Sequence, residues 1–143
     1  MMSPEDYQLR EIEFRGKEFH YMTSVWIFGF YDGSGSCSRI IDSDGNFHLV
    51  LPETVGQFTG LLDNKGNRVY EGDVVALRLD YHTSKHIGVV KWQCRGGYMV
   101  WSERESGVKV WDGSITKVLG NVFDNPALKS KFGPVWTKEI KIK

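Results

Sequence analysis

The chain has 143 residues, of which 41% are hydrophobic and 13% aromatic, and its 18 Lys+Arg balance 18 Asp+Glu. A formal net charge of zero excludes the strong overall positive field that drives sequence-independent nucleic-acid binding, while leaving room for a local basic patch. No apolar run approaches the ~18 residues of a membrane span, and the length suits one ordinary domain or two small lobes whose Phe, Tyr and Trp fill a core without disulfides or metals. No charged-then-apolar leader pattern opens the chain, so the expected address is the cytoplasm. The two cysteines, Cys37 and Cys94, sit in segments of different character and read as free thiols.

Apolar residues nowhere recur at helical spacing over ~11 residues without Gly or Pro intruding; short aromatic and β-branched runs dominate instead. Residues 9–16 (LREIEFRG) and 19–24 (FHYMTS) are expected to form an N-terminal hairpin across Gly16-Lys17-Glu18. The continuous apolar run 25–31 (VWIFGFY) reads as a buried strand feeding the flexible Gly/Ser loop 32–38. Ile40-Ile41 and residues 47–51 suit a second hairpin, with Asp44-Gly45 supplying the positive φ angles of a tight turn. Pro52 closes it.

Beyond residue 54 strands and turns alternate more densely: TVGQFTGLLD, a turn over 63–67, Arg68-Val69-Tyr70, the Glu71-Gly72-Asp73 turn, and VVALRLDYH. Residues 87–94, 98–104 and 108–111 continue as a meander. Phe58, Val75, Trp92 and Trp101 are expected in the core of this half. After residues 114–123, Asn125-Pro126 fits a turn or a single helical turn, and KEIKIK at 138–143 has the alternation of one more strand. The fold class is therefore mainly antiparallel β: an N-terminal β lobe over 1–53, an SH3-like small barrel over 54–128 and a basic C-terminal arm over 129–143, with very little helix, the strands being free to pair across these limits.

Three segments carry a family resemblance: REIEFR at 10–15, VGQFTGLLDNKGNRVYEGDVV at 55–75 and LGNVFDNPAL at 119–128. Together, in this order and over nearly the whole chain, they resemble the YopX family, small proteins of bacteriophages, prophages and other bacterial mobile elements. The departures lie in 24–53 and after 128. The resemblance implies a biological setting; it brings no reaction and no catalytic or ligand residue. The shared block also has a purely structural account, since Glu71-Gly72-Asp73 turns the chain into the β-branched Val74-Val75.

Candidate sites weigh against enzymatic chemistry. His82 and His86 are four apart, the spacing of a metal pair on a helix, but they flank a hairpin tip; His20 and His48 add no third ligand. Glu71, Asp73 and the nearby Asp63 are the carboxylates closest to an acid–base pair, and turn capping explains them more simply. No G-x-S-x-G is present, and Gly33-Ser34-Gly35-Ser36 precedes no helix. The tail stands out: Lys129, Lys131, Lys138, Lys141 and Lys143, with Phe132 and Trp136 interleaved, form a pattern that tracks phosphates and stacks bases. Its alternatives are a terminal strand anchored by its aromatics, or an arm that pairs with a second copy. The expected function is a non-catalytic, self-associating assembly or adaptor module without cofactor; the alternative is a nucleic-acid-binding barrel that uses this arm.

Overall fold

The computed structural model describes residues 11–19, 24–78, 85–111 and 113–138. The fold is mainly antiparallel β, as the patterning predicts. Strands β1 (Phe14–Lys17), β2 (Trp26–Asp32), β3 (Arg39–Ile41), β4 (Phe47–Leu49), β5 (Gly56–Leu62) and β6 (Arg68–Tyr70) form a sheet in the order β4-β3-β2-β1-β5-β6. Strands β7 (Asp73–Arg78), β8 (Lys85–Gln93), β9 (Gly97–Trp101), β10 (Gly107–Lys109) and β11 (Ile115–Asn121) form a second, ordered β10-β9-β8-β7-β11. Each sheet runs a meander of consecutive strands and then sends the next strand back to pair with its first, β5 on β1 and β11 on β7. The two halves thus share a plan that no sequence repeat announces.

The first sheet crosses the compositional shift at Pro52. Phe14 and Arg15 of β1 pair with Gln57 and Gly56 of β5, and a short 3-10 turn over Pro52–Thr54 leads the chain from β4 into β5.

The central strand β7 explains the density of the VVAL run, because both of its faces are covered. Val75 and Leu77 lie in one core with Val69, Val90, Val100 and Ile115. Val74 lies in another with Val89, Trp101 and Val122, closed by Phe132 and Val135. A strand buried on both faces reads as a continuous apolar run instead of an alternation.

The helix is longer than expected. α1 spans Pro126–Thr137, 12 residues, about three turns at 3.6 residues each, where a turn or a single helical turn was expected at Asn125-Pro126. Leu128, Phe132, Val135 and Trp136 follow one helical face and all join the second core. Gly133-Pro134 interrupts the pattern in sequence, but Pro134 lies near the end of the helix, where the missing N–H costs only one bond and the packed face holds the turn.

Three other expectations are corrected. The first reversal is not at Gly16, which lies inside β1 opposite Ile27; a Cβ there would stand 3.1 Å from Val50, so the glycine serves close packing, not a turn. β2 is not a buried strand, since Phe28, Phe30 and Tyr31 are 44%, 65% and 40% exposed. The second half reaches this sheet through Leu61, Val69 and Trp26, leaving its outer wing open. Phe58, Val75 and Trp101 are buried, but Trp92 is 51% exposed. The β7 ladder ends at the Val74–Val89 pair, so Trp92 runs past it and pairs only with Tyr98 of β9. The KEIKIK strand and the hairpin tip at His82 fall, beyond Lys138 and within 79–84, outside the described residues.

Candidate functional site

The segments that carry the family resemblance meet where the two sheets touch. Arg15 of β1 is buried, and its Nη2 donates to Asp73 Oδ1 at 2.7 Å at the start of β7. Its guanidinium lies between two rings, 4.4 Å from the Trp26 centroid and 4.8 Å from that of Tyr70, a sandwich that adds cation–π attraction to the ion pair. Asp73 also accepts the Tyr70 backbone N–H at 2.8 Å. The Tyr70 hydroxyl donates to Glu13. From the third segment, Asp124 accepts Trp26 Nε1 at 2.7 Å and pairs with Lys17, and the Val122 N–H donates to the Gly72 carbonyl at 3.1 Å. Gly72 itself has φ +91, and a Cβ there would stand 2.8 Å from the Phe123 ring; only glycine suits this turn.

Beside this junction opens a cleft of about 570 Å³ that includes Trp26, Phe28, Arg68 and Asn121. Its one lining carboxylate among the described residues, Asp73, and the nearby Glu71 and Asp63 are committed to structure. Burial pushes Asp73 above the usual carboxylate range, with Arg15 acting against that shift. Burial likewise raises Glu71, whose carboxylate accepts the Gln57 N–H at 2.7 Å. Asp63 behaves oppositely: burial opposes its charge, but the Asn67 side chain and the N–H groups of Val118, Asn67 and Lys65 hold it at about 2. A carboxyl with that many donors ties the β5–β6 turn to β11 and has no proton to exchange near neutrality. Arg68 of the same cleft pairs with Glu11 at 2.9 Å.

Among the described residues, the histidines and cysteines do not assemble. His86 Nε2 lies 2.9 Å from the Val100 carbonyl; His48 sits between Asp42 at 2.7 Å and Glu18 at 3.6 Å. His20 and His82 fall outside the described residues, as do Lys141 and Lys143. Cys37 and Cys94 are exposed free thiols. Among the described residues no group of three His, Cys, Asp or Glu is placed to hold a metal ion.

Of the tail residues, Lys129, Lys131 and Trp136 lie on α1 and Lys138 follows its last turn. Lys131 faces Glu103 at 4.0 Å and Lys138 pairs with Glu105 at 2.6 Å. Lys129 lines a narrow cavity of about 300 Å³ shared with Lys17 and Trp136. Trp136 stacks edge-on against Phe123 at 5.6 Å, so its ring is used in docking the helix. Lys91, a further cation, donates from Nζ to the carbonyls of Val135 at 2.8 Å and Lys138 at 2.5 Å, closing the helix C-terminus. Lys91, Lys131 and Lys138 thus have partners within the chain.

What sequence reasoning missed lies on the surface. Cross-strand register places Phe30, Ile41 and Phe47 in one row, with Arg39 and Leu49 in the next, because residues directly opposite share a face. Phe28 lies on that face too and meets Tyr70 at 5.7 Å, so the row runs from the β4 edge to the cleft. Phe30, Phe47 and Leu49 are 65%, 63% and 50% exposed. A signal was present in FGF at 28–30 and FHL at 47–49, where both outward positions of an edge sheet are apolar. At the far end of the second sheet, Trp92 and Tyr98 pack edge-on at 4.9 Å beside a groove of about 450 Å³ shared with Trp111, Arg95 and Lys109.

No helix among the described residues is long and apolar enough to cross a membrane. Compared with known families, the chain matches the YopX protein family over residues 11–129. No curated protein and no solved structure matches it.

Proposed function

The chain belongs to the YopX family, and we propose that it works as a non-catalytic assembly module, associating with a second copy of itself through the aromatic face of β2, β3 and β4, in the phage or mobile-element setting that the resemblance implies. The observation that carries this reading is the exposed row of Phe28, Phe30, Phe47 and Leu49. At roughly 200 Å² for a large apolar side chain, these exposures amount to about 400 Å² of apolar surface, near half of the ~800 Å² that each partner contributes to a standard interface. The margin is polar: Arg39 lies 3.8 Å from Asp32 and over the Phe47 ring. A patch whose margin carries both signs suits its own copy, related by a two-fold axis, better than a highly charged partner.

Light scattering after size-exclusion chromatography tests this at ~100 μM protein. The unmodified chain is expected at twice its monomer mass, and Phe30→Glu with Phe47→Glu at the monomer mass with an unchanged far-UV spectrum. A monomeric unmodified chain, or a dimer that survives both substitutions, overturns the reading.

A further inference from the structure

We propose that the groove at the β8–β9 end of the second sheet binds single-stranded nucleic acid. The site is separate from the association face and does not depend on it. Three aromatic residues border the groove, Trp92, Tyr98 and Trp111, along with Arg95 and Lys109. The two indoles are 51% and 44% exposed, in a chain whose Trp101 is 6% exposed. A folded domain gains by burying a tryptophan, so two half-open indoles around one concavity mark a contact surface.

The backbone holds these rings in place. Trp92 and Tyr98 are direct cross-strand partners in the β8–β9 ladder, and their edge-on contact presents one ring beside the other. The turn between them contains Gly97 at φ +71 and Gly96, which keep side chains out of the groove mouth. Trp111 is fixed from the other side: its backbone N–H donates to Ser114 Oγ at 3.1 Å, and its carbonyl accepts the same hydroxyl at 2.6 Å.

Charge selects the ligand class. Both ionic side chains lining the groove are cations, and no Asp or Glu is among the described residues that line it. Rings that offer faces to planar groups, with cations to meet a phosphate backbone, are the two parts of a single-strand site. A proline-rich peptide would use the rings and leave Arg95 and Lys109 without a counterpart. With a groove of about 450 Å³ and two cations, affinity is modest and reads base type weakly.

Fluorescence anisotropy of a labelled twelve-nucleotide oligo-dT and of oligo-U, titrated with the full chain at 20 mM salt, tests the proposal. Binding is expected with a log–log salt slope of about −1.4, the value for two phosphate contacts on a single strand. Trp92→Ala and Trp111→Ala should each weaken it by roughly 5- to 100-fold, and Arg95→Gln with Lys109→Gln should flatten the slope. Phe30→Glu with Phe47→Glu should leave it unchanged, separating this site from the association face. Absence of binding at 20 mM salt overturns the proposal. So does binding that these four groove substitutions leave intact, which would place the strand elsewhere. A salt-insensitive affinity for a proline-rich peptide, with none for the oligonucleotides, would assign the groove to peptide instead.

Discussion

Arg15 and Asp73 stand 58 positions apart in the chain and join the two sheets through a 2.7 Å ion pair at 7% and 3% exposure. The pair links the first strand of one sheet to the first strand of the other. The aromatic rings of Trp26 and Tyr70 keep water from the guanidinium, and the Tyr70 N–H holds the second carboxylate oxygen.

Removing one partner leaves the other buried and uncompensated. Arg15→Met should therefore cost about 3–5 kcal/mol of unfolding free energy, measured by urea denaturation. A loss below about 1 kcal/mol would show that the pair is solvated and that the sheets are held by their apolar contacts alone.

Asp63 makes a second, sharper link. Its carboxylate accepts from Lys65, Asn67 and Val118, so Asp63→Ala leaves several donors unsatisfied and should cost about 2 kcal/mol or more. The linked pH effect follows from its sign: a folded pKa held down at about 2 means that its stabilisation is complete above the unfolded value near 4 and is lost as pH falls toward 2. The pH dependence of unfolding between 4 and 2 should flatten in Asp63→Asn.

His48 has the opposite sense. Its hydrogen bond to Asp42 raises its pKa above the usual value, with Glu18 adding to the effect against burial. The stabilisation is present below the unfolded pKa of ~6.5 and is lost as pH rises through the higher folded value. Proton NMR of the imidazole should give a midpoint above ~6.5 that falls in Asp42→Asn; a midpoint unchanged by that substitution would show that the pair does not persist in solution.

The two tryptophans of the β8–β9 pair of strands should separate cleanly. Trp101→Ala, emptying a buried site beside Val89 and Val122, should cost about 3–5 kcal/mol. Trp92→Ala should cost about 1 kcal/mol or less, since half of its surface is already in water. Equal costs in chemical denaturation would place Trp92 in the core after all.

The sequence by itself determined the β class, the turns at 42–46, 63–67 and 71–73, and the structural use of Glu71 and Asp73, because alternation and turn chemistry act over a few neighbouring residues. It also marked the three segments whose resemblance the family match bears out. Only the tertiary structure decided which strand faces are covered. FGF at 28–30 and the Trp92 segment have the composition of core strands, yet one lies on an open wing and the other runs past the end of β7; exposure depends on which layer reaches them, a long-range property. The helix was hidden for a related reason: Leu128, Phe132, Val135 and Trp136 keep helical spacing through Gly133-Pro134 only because the face they form docks on β8 and β11, and packing outweighs the local cost of the proline. Docking of the helix sets Lys131 and Lys138 beside Glu103 and Glu105, while the cations of the aromatic groove, Arg95 and Lys109, border one groove because β8, β9 and β10 are neighbours in the sheet.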